Sequence, residues 1–238
     1  MTEQSFEKLT ENIEVCVSKE HRFGTDAFLL ADFANPRMKD FVCDLGTGCG
    51  IIPFVMSRKF PPKKILAVDI QPQAIEQLKL GIERSNLANI VPICADLKAL
   101  WKDAPLGELD VVTCNPPYKA ADCGIKSEIP AQKIARHEIF CDINDVCKAA
   151  AKLLKFGGKF CLCNRPERLC DVVSAMKAND LEPKTLRFVS KTPNDAPWLF
   201  LIEGKKGGKP FLNVMRGLFV KSDCGEFSEE MLRIYGKI

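Results

Sequence analysis

Histidine is scarce: the 238 residues contain two, His21 and His137. Cysteine is plentiful, but no CxxC pair occurs anywhere, so the spacing of a zinc site is missing and no metal is expected. No apolar run exceeds the length of a strand, which excludes a spanning helix and a membrane partner. Residues 1–19 mix Glu, Lys and Thr without an apolar stretch, so no secretory signal is expected and the cytoplasm is the default compartment. The formal net charge is only +3, too little by itself to mark a nucleic-acid partner. Repeats, low-complexity linkers and any feature that would demand an obligate protein partner are also lacking.

What is present fits one folded α/β unit. Hydrophobic residues make up 46% and charged residues 27%, the balance of a chain able to bury a core. The twelve cysteines lie mostly among Val, Leu and Ile, as at Cys43, Cys114, Cys161 and Cys163. They read as reduced, buried, small apolar residues. Apolar runs at Phe41 to Leu45, Lys64 to Ile70, Ile90 to Ala95, Leu109 to Cys114 and Lys159 to Asn164 read as strands buried on both faces of a parallel sheet. Pro72 opens a helix that runs to Asn86, and Asp142 or Asn144 caps another that stops at Gly157-Gly158. A third helix follows Pro166, and a short one spans Ser228 to Tyr235. The succession predicts an open, doubly wound, mostly parallel seven-stranded sheet with helices on both faces. Residues 1–40 differ: Ile13 to Val17 alternates like a strand and Asp26 to Ala34 has helical spacing. They are expected to form a short N-terminal extension covering the site of a main domain, 41–238.

Three acids and a glycine turn carry the first chemical signal. Asp44-Leu45-Gly46-Thr47-Gly48-Cys49-Gly50 follows a strand and opens a helix, where a ligand can approach the backbone closely. The spacing is GxGxG, a departure from the GxGxxG of dinucleotide sites, and Asp44 suits a ligand bearing an ammonium group. Asp69 ends the next strand, where a carboxylate can accept hydrogen bonds from two ribose hydroxyls or cap the helix at Pro72. Asp96 ends the third strand, within reach of an adenine amino group, or forms a turn there. Ile70 and Leu97, next in sequence to these two acids, join the candidate cofactor set.

Asn115-Pro116-Pro117-Tyr118, after the fourth strand, is the second signal. Two prolines fix the backbone as it leaves the sheet and keep carbonyls out of the ladder. The Asn115 amide oxygen and the Pro116 carbonyl can then accept hydrogen bonds from one amino group. A nitrogen whose lone pair is delocalised is a poor nucleophile, and two acceptors that draw it toward tetrahedral geometry localise that pair, increasingly so in the transition state. Tyr118 offers a face on which a flat ring can stack.

The glycine turn, Asp69, Asp96 and Asn115 to Tyr118 together resemble the class I S-adenosylmethionine methyltransferases that modify amino groups, over about residues 41 to 203. The resemblance implies S-adenosylmethionine as cofactor: Asp44 and the glycines at its methionine part, Asp69 at the ribose, Asp96 at the adenine. A narrower likeness, to bacterial valine-tRNA adenine-N6 methyltransferases, rests on the stretch from His21 to Ala31, on Ala135-Arg136-His137-Glu138 and on the stretch from Gly225 to Glu230. It implies a tRNA substrate methylated in the anticodon loop. Thr25 or Asp26 would then touch the methionine carboxylate or amine, or else cap the following helix. His137 is read as structural or RNA-contacting, and His21 as polar surface or packing.

Basic residues supply the expected RNA contacts: Lys119, Arg136 and the acid-free stretch from Gly204 to Ser222 with Lys205, Lys206 and Lys209. Glutamine methylation in a protein and guanine-N2 methylation in ribosomal RNA share the tetrapeptide and stay open. So does an RNA-binding module without catalysis, while a nicotinamide enzyme leaves Asn115 to Tyr118 unexplained.

Overall fold

The computed structural model describes residues 4–19, 21–58, 61–100, 104–116 and 141–238. Strands β1 (Ser5–Lys8) and β2 (Glu14–Val17) pair antiparallel as a separate small sheet, and helix α1 (Thr25–Ala34) follows. The alternating part comprises β3 (Phe41–Leu45), α2 (Ile51–Met56), β4 (Lys64–Asp69), α3 (Pro72–Ser85), β5 (Ile90–Cys94) and β6 (Leu109–Cys114). After it come α4 (Ile143–Leu153), β7 (Leu154–Asn164), α5 (Leu169–Ala178), β8 (Leu181–Ser190) and β9 (Leu199–Lys206). Two-residue strands β10 (Asn213–Val214) and β11 (Leu218–Phe219) and helix α6 (Glu229–Tyr235) complete the described chain.

Seven longer strands form the expected sheet in the order β5-β4-β3-β6-β7-β9-β8, and β10 and β11 lengthen it along β8 to nine. β5, β4, β3, β6 and β7 are parallel, and β9 runs antiparallel to β7 and β8. Alternation along each strand sends side chains to two separate cores. Val42, Ile65, Val111, Cys161 and Cys163 join the core on the side of α1 and α2. Cys43, Leu66, Val112, Phe160 and Leu162 join the one covered by α4 and α5. Burial on both faces explains why these strands read as continuous apolar runs. The same alternation puts Asp44, Thr113 and Asn115 on the α1 side.

The N-terminal segment shares the main core. Ile13, Val15, Val17 and six residues of α1 are buried in the cluster that contains Val42 and Val111. Helix α1 packs on α2, β7, β9 and α6. α4 starts at Asp142, whose side chain accepts from the Asp145 amide at 2.8 Å while Asp145 accepts from the Asp142 amide, a reciprocal cap. It ends at Leu153, four residues short of the expected stop, and Gly157-Gly158 lie inside β7 instead. The reason is a bulge: register with β6 shifts between the Leu109–Leu154 and Val111–Lys159 pairs. There Gly157 takes φ +76°. At Gly158 a Cβ would come within 2.9 Å of the Leu109 carbonyl oxygen. Eleven cysteines are described, all free, seven of them buried, and burial pushes the Cys43 and Cys114 thiols well above the ordinary range. No helix among the described residues is long and apolar enough to cross a membrane.

Candidate active site

Strand order reverses at β3, whose successors lie on one side as β4 and on the other as β6. Open α/β sheets leave a crevice at the C-terminal strand ends of such a point. Here it is a cleft of about 420 Å³ walled by Gly46 and Gly48 after β3, Asp69 and Ile70 at β4, Asp96 and Leu97 after β5, and Asn115 and Pro116 after β6. Eight residues singled out from the sequence thus share one cavity.

The glycine turn is folded by its own amides. Gly46, Gly48 and Gly50 all have positive φ, from +55° to +84°. The Thr47 amide donates to the Val68 carbonyl at 2.9 Å and the Gly48 amide to Asp69 Oδ2 at 2.8 Å. A Cβ on Gly46 or Gly48 would meet nothing within 4 Å among the described residues, so their bareness keeps the cleft floor open. Gly50 differs: a Cβ there would strike Leu78 at 2.3 Å. It does not line the cleft, and its place is a packing requirement of α2 against α3.

Asp69 is buried, with one oxygen on the Gly48 amide and the other accepting from the Gln71 amide at 2.9 Å. It therefore braces the glycine turn and the entry to α3 together, and a carboxylate still has lone pairs for further donors. Asp96 is exposed and forms a turn through the Lys98 amide at 2.9 Å. Ile70, 48% exposed, and Leu97 supply apolar wall between the two acids.

Asp44 lies beneath the cleft with no exposure at all. The Thr113 hydroxyl donates to its Oδ1 at 2.6 Å, while Oδ2 has no hydrogen-bond partner among the described residues. Burial pushes its pKa up to about 7, against the lowering influence of Thr113 and Thr47, and nearby Asp69 raises it further. Thr47 leans on it without the geometry of a hydrogen bond, and its hydroxyl is also a buried orphan. Unpartnered buried polar atoms are rare, and these two sit side by side under the glycine turn.

Asn115 is held from two sides. Its Nδ2 donates to Asp26 Oδ2 at 3.0 Å, and its Oδ1 accepts from the Cys163 thiol at 3.1 Å. Neither Thr25 nor Asp26 caps α1, whose N-cap is Gly24 without a side-chain bond. Thr25 instead shares a hydrogen bond of 2.8 Å with the Tyr235 hydroxyl. Both residues, expected at the cofactor, line a second, more open cavity together with Arg165, Lys191 and Trp198.

Pro117, Tyr118, Lys119, Arg136 and His137 lie outside the described residues. Lys205, Lys206 and Lys209 are not brought to the cleft. Lys205 pairs with Lys159 at the start of the regular β7 ladder, and Lys206 donates to the Leu154 carbonyl at 2.7 Å, both toward the end of the sheet where the parallel strands begin. His21, expected as polar surface or packing, and Arg22, which carries no expected role, both line the cleft, and His21 Nδ1 is buried without a hydrogen-bond partner among the described residues. Their only signal was membership of the stretch running into Gly24-Thr25-Asp26. Gln71, Cys141 and Val146 also line it, and nothing in their spacing marks them.

The fold is shared with known proteins. A predicted O-methyltransferase from Agrobacterium tumefaciens superposes with a TM-score of 0.74 at 17% identity, covering 89% of this chain and 95% of that one. A geranyl diphosphate C-methyltransferase from Streptomyces coelicolor A3(2), solved with S-adenosyl-L-homocysteine, gives 0.56 at 13% identity over 76% of this chain and 79% of that one. These likenesses establish the fold. By sequence, the chain is 32% identical over 160 residues to the tRNA1(Val) (adenine(37)-N6)-methyltransferase of Histophilus somni (strain 129Pt). The match takes in 66% of this chain and 65% of that protein, just under two thirds of the relative's length. The family model described as methyltransferase small domain matches residues 14–173, from β2 through α4 and β7 into α5, and the chain belongs to that family.

Proposed function

We propose that the protein transfers a methyl group from S-adenosylmethionine to the N6 amino group of an adenine in tRNA, in the anticodon loop of a valine tRNA. The observation that carries the reading is Asn115 at the cleft edge, its amide oriented by Asp26 and Cys163. The name of the Histophilus somni relative supports the nucleotide. The compartment in which such a substrate is met is the cytoplasm.

The cleft suits the cofactor. Gly46, Gly48, Asp69, Ile70, Asp96 and Leu97 would hold it, with Asp44 and Thr47 beneath for the charged methionine end, where their orphaned oxygens have use for donors. When bound it supplies an electrophilic methyl on sulfur. The chain's own part is to hold the acceptor nitrogen: Asn115 Oδ1 and the Pro116 carbonyl accept from its two hydrogens and draw its lone pair out of the ring. As the nitrogen becomes cationic these acceptors gain most, and alignment accounts for much of the rate. The proton is then acidic enough to leave to water without a strong base.

On this reading residues 1–40 cover the site from the α1 side, and Tyr118 stacks the target base. The RNA approaches over Arg22, Lys191 and Trp198, which ring the two openings beside Asp26. Lys119 and Arg136 contact its phosphates on this reading, and Lys205, Lys206 and Lys209 serve phosphates farther from the cleft. The test is methylation of tRNA transcripts by the purified protein with labelled S-adenosylmethionine, followed by mass spectrometry of the nucleosides. Labelled N6-methyladenosine supports the reading. Label in guanine N2, in a protein glutamine or in nothing refutes it.

A further inference from the structure

We infer that Asp26, with Cys163 opposite it, is a positioning device that fixes which end of the Asn115 amide faces the acceptor. The inference rests on the methyl-transfer reading of Asn115. A primary amide has two ends of similar shape and opposite hydrogen-bonding sense. Rotated by half a turn, Asn115 would present an NH2 group to the acceptor's NH2 group, and two donors repel. The carboxylate of Asp26 can only accept, so it holds Nδ2 at 3.0 Å, and the Cys163 thiol, a donor, stands 3.1 Å from Oδ1. The carboxylate selects the orientation that chemistry at an amino group requires, and the thiol, which can donate to Oδ1, is compatible with it. The oxygen has two lone pairs, enough for the thiol and an amino hydrogen together.

Charge adds to geometry. A carboxylate on the amide nitrogen polarises the amide and makes its oxygen more negative as positive charge grows on the acceptor. Placement follows from the fold. Period-two alternation sends Asn115 and Cys163 to the α1 side of the sheet, and Asp26 is in the first turn of that helix. Gly24 supports the same reading. Its φ of −118° is open to any residue, yet a Cβ there would lie 2.6 Å from Asp26 Oδ1. The bare position leaves the carboxylate where it meets Asn115.

The experiment combines kinetics with a substrate-free probe. Asp26→Ala should lower kcat on tRNA roughly ten- to a hundredfold while S-adenosylhomocysteine affinity changes by less than about twofold. Asp26→Asn, which can still accept from Nδ2, should recover much of the loss, and Gly24→Ala should reproduce part of it. On an Asn115→Ala background, Asp26→Ala should cost less than about a further twofold, because the residue acts through Asn115. Additive losses, an unchanged kcat, or a loss confined to cofactor affinity would overturn the inference; the last would place Asp26 at the methionine end. Independently of any acceptor, the side-chain amide protons of Asn115 in a ¹⁵N spectrum should be resolved and slow to exchange in wild type and should collapse in Asp26→Ala. If the two spectra agree, the clamp is wrong even where tRNA is methylated. If wild type leaves tRNA unmethylated while the spectra differ, the clamp stands and the acceptor assignment fails.

Discussion

Asp44 shows how one buried carboxylate can tie cofactor binding to pH. With its pKa pushed up to about 7 by burial, the folded state holds a proton that the unfolded chain releases near 4. The folded state therefore binds more protons between those values, and this group's contribution to stability is full below about 4 and is lost as pH rises through about 7. A ligand ammonium would pull that pKa down again, so below pH 7 cofactor binding should release a proton. Calorimetry of S-adenosylmethionine in buffers of different ionisation heat should show that release, and Asp44→Asn should abolish it. Asp69 behaves differently because its oxygens already brace the glycine turn. Asp69→Ala should cost on the order of 1.5–3 kcal/mol of cofactor binding, with some loss of melting temperature as well. Equal affinity for wild type and variant would confine Asp69 to the turn. The acids, the glycines and Asn115 are legible as residues because each lies near the end of an apolar run or just after it. His21 and Arg22 are not, because they reach the cleft through the path of the chain before α1.

At the scale of elements, strand alternation sets which face each residue serves. Asn115 and Cys163 have the parity of Val111 and Cys161, all on the α1 side. What sequence could not supply was the β6–β7 register, which sets Cys114 against Leu162 and so brings Cys163 beside Asn115. The bulge hidden at Gly157 and Gly158 is what shifts it. The end of α4 was misplaced for the same reason, since two glycines after a helical stripe look like a stop. Its start was legible: Asp142 caps it, and Asp142→Ala should lower stability by about 0.5–2 kcal/mol in chemical denaturation, with S-adenosylmethionine affinity intact. A matching loss of affinity would mean that the α4 start shapes the cleft through Cys141 and Val146.

Across the whole molecule the sheet separates two charged regions. Arg22 and Lys191 lie with the cleft openings at the C-terminal strand ends, and the lysines at the close of β9 lie toward the opposite end. Replacing Lys205 and Lys209 together should flatten the salt dependence of tRNA binding by about one to two counterions while kcat at saturating tRNA stays constant. Lys191→Ala combined with Trp198→Ala should instead raise the KM for tRNA. A fall in kcat for the β9 pair would show that RNA bends around the sheet to reach both ends. The hydrogen bond between Thr25 and Tyr235 links distant parts of the chain. α6 also touches α1 through the Phe28–Tyr235 ring pair, and the Ile234 carbonyl is held by Arg58. The helix turn that carries Asp26 is thus propped by residues some two hundred positions later in the chain. During translation the glycine turn and Asn115 are made long before α6, yet the clamp on that asparagine gains its support only once α6 has been added and folded back onto α1.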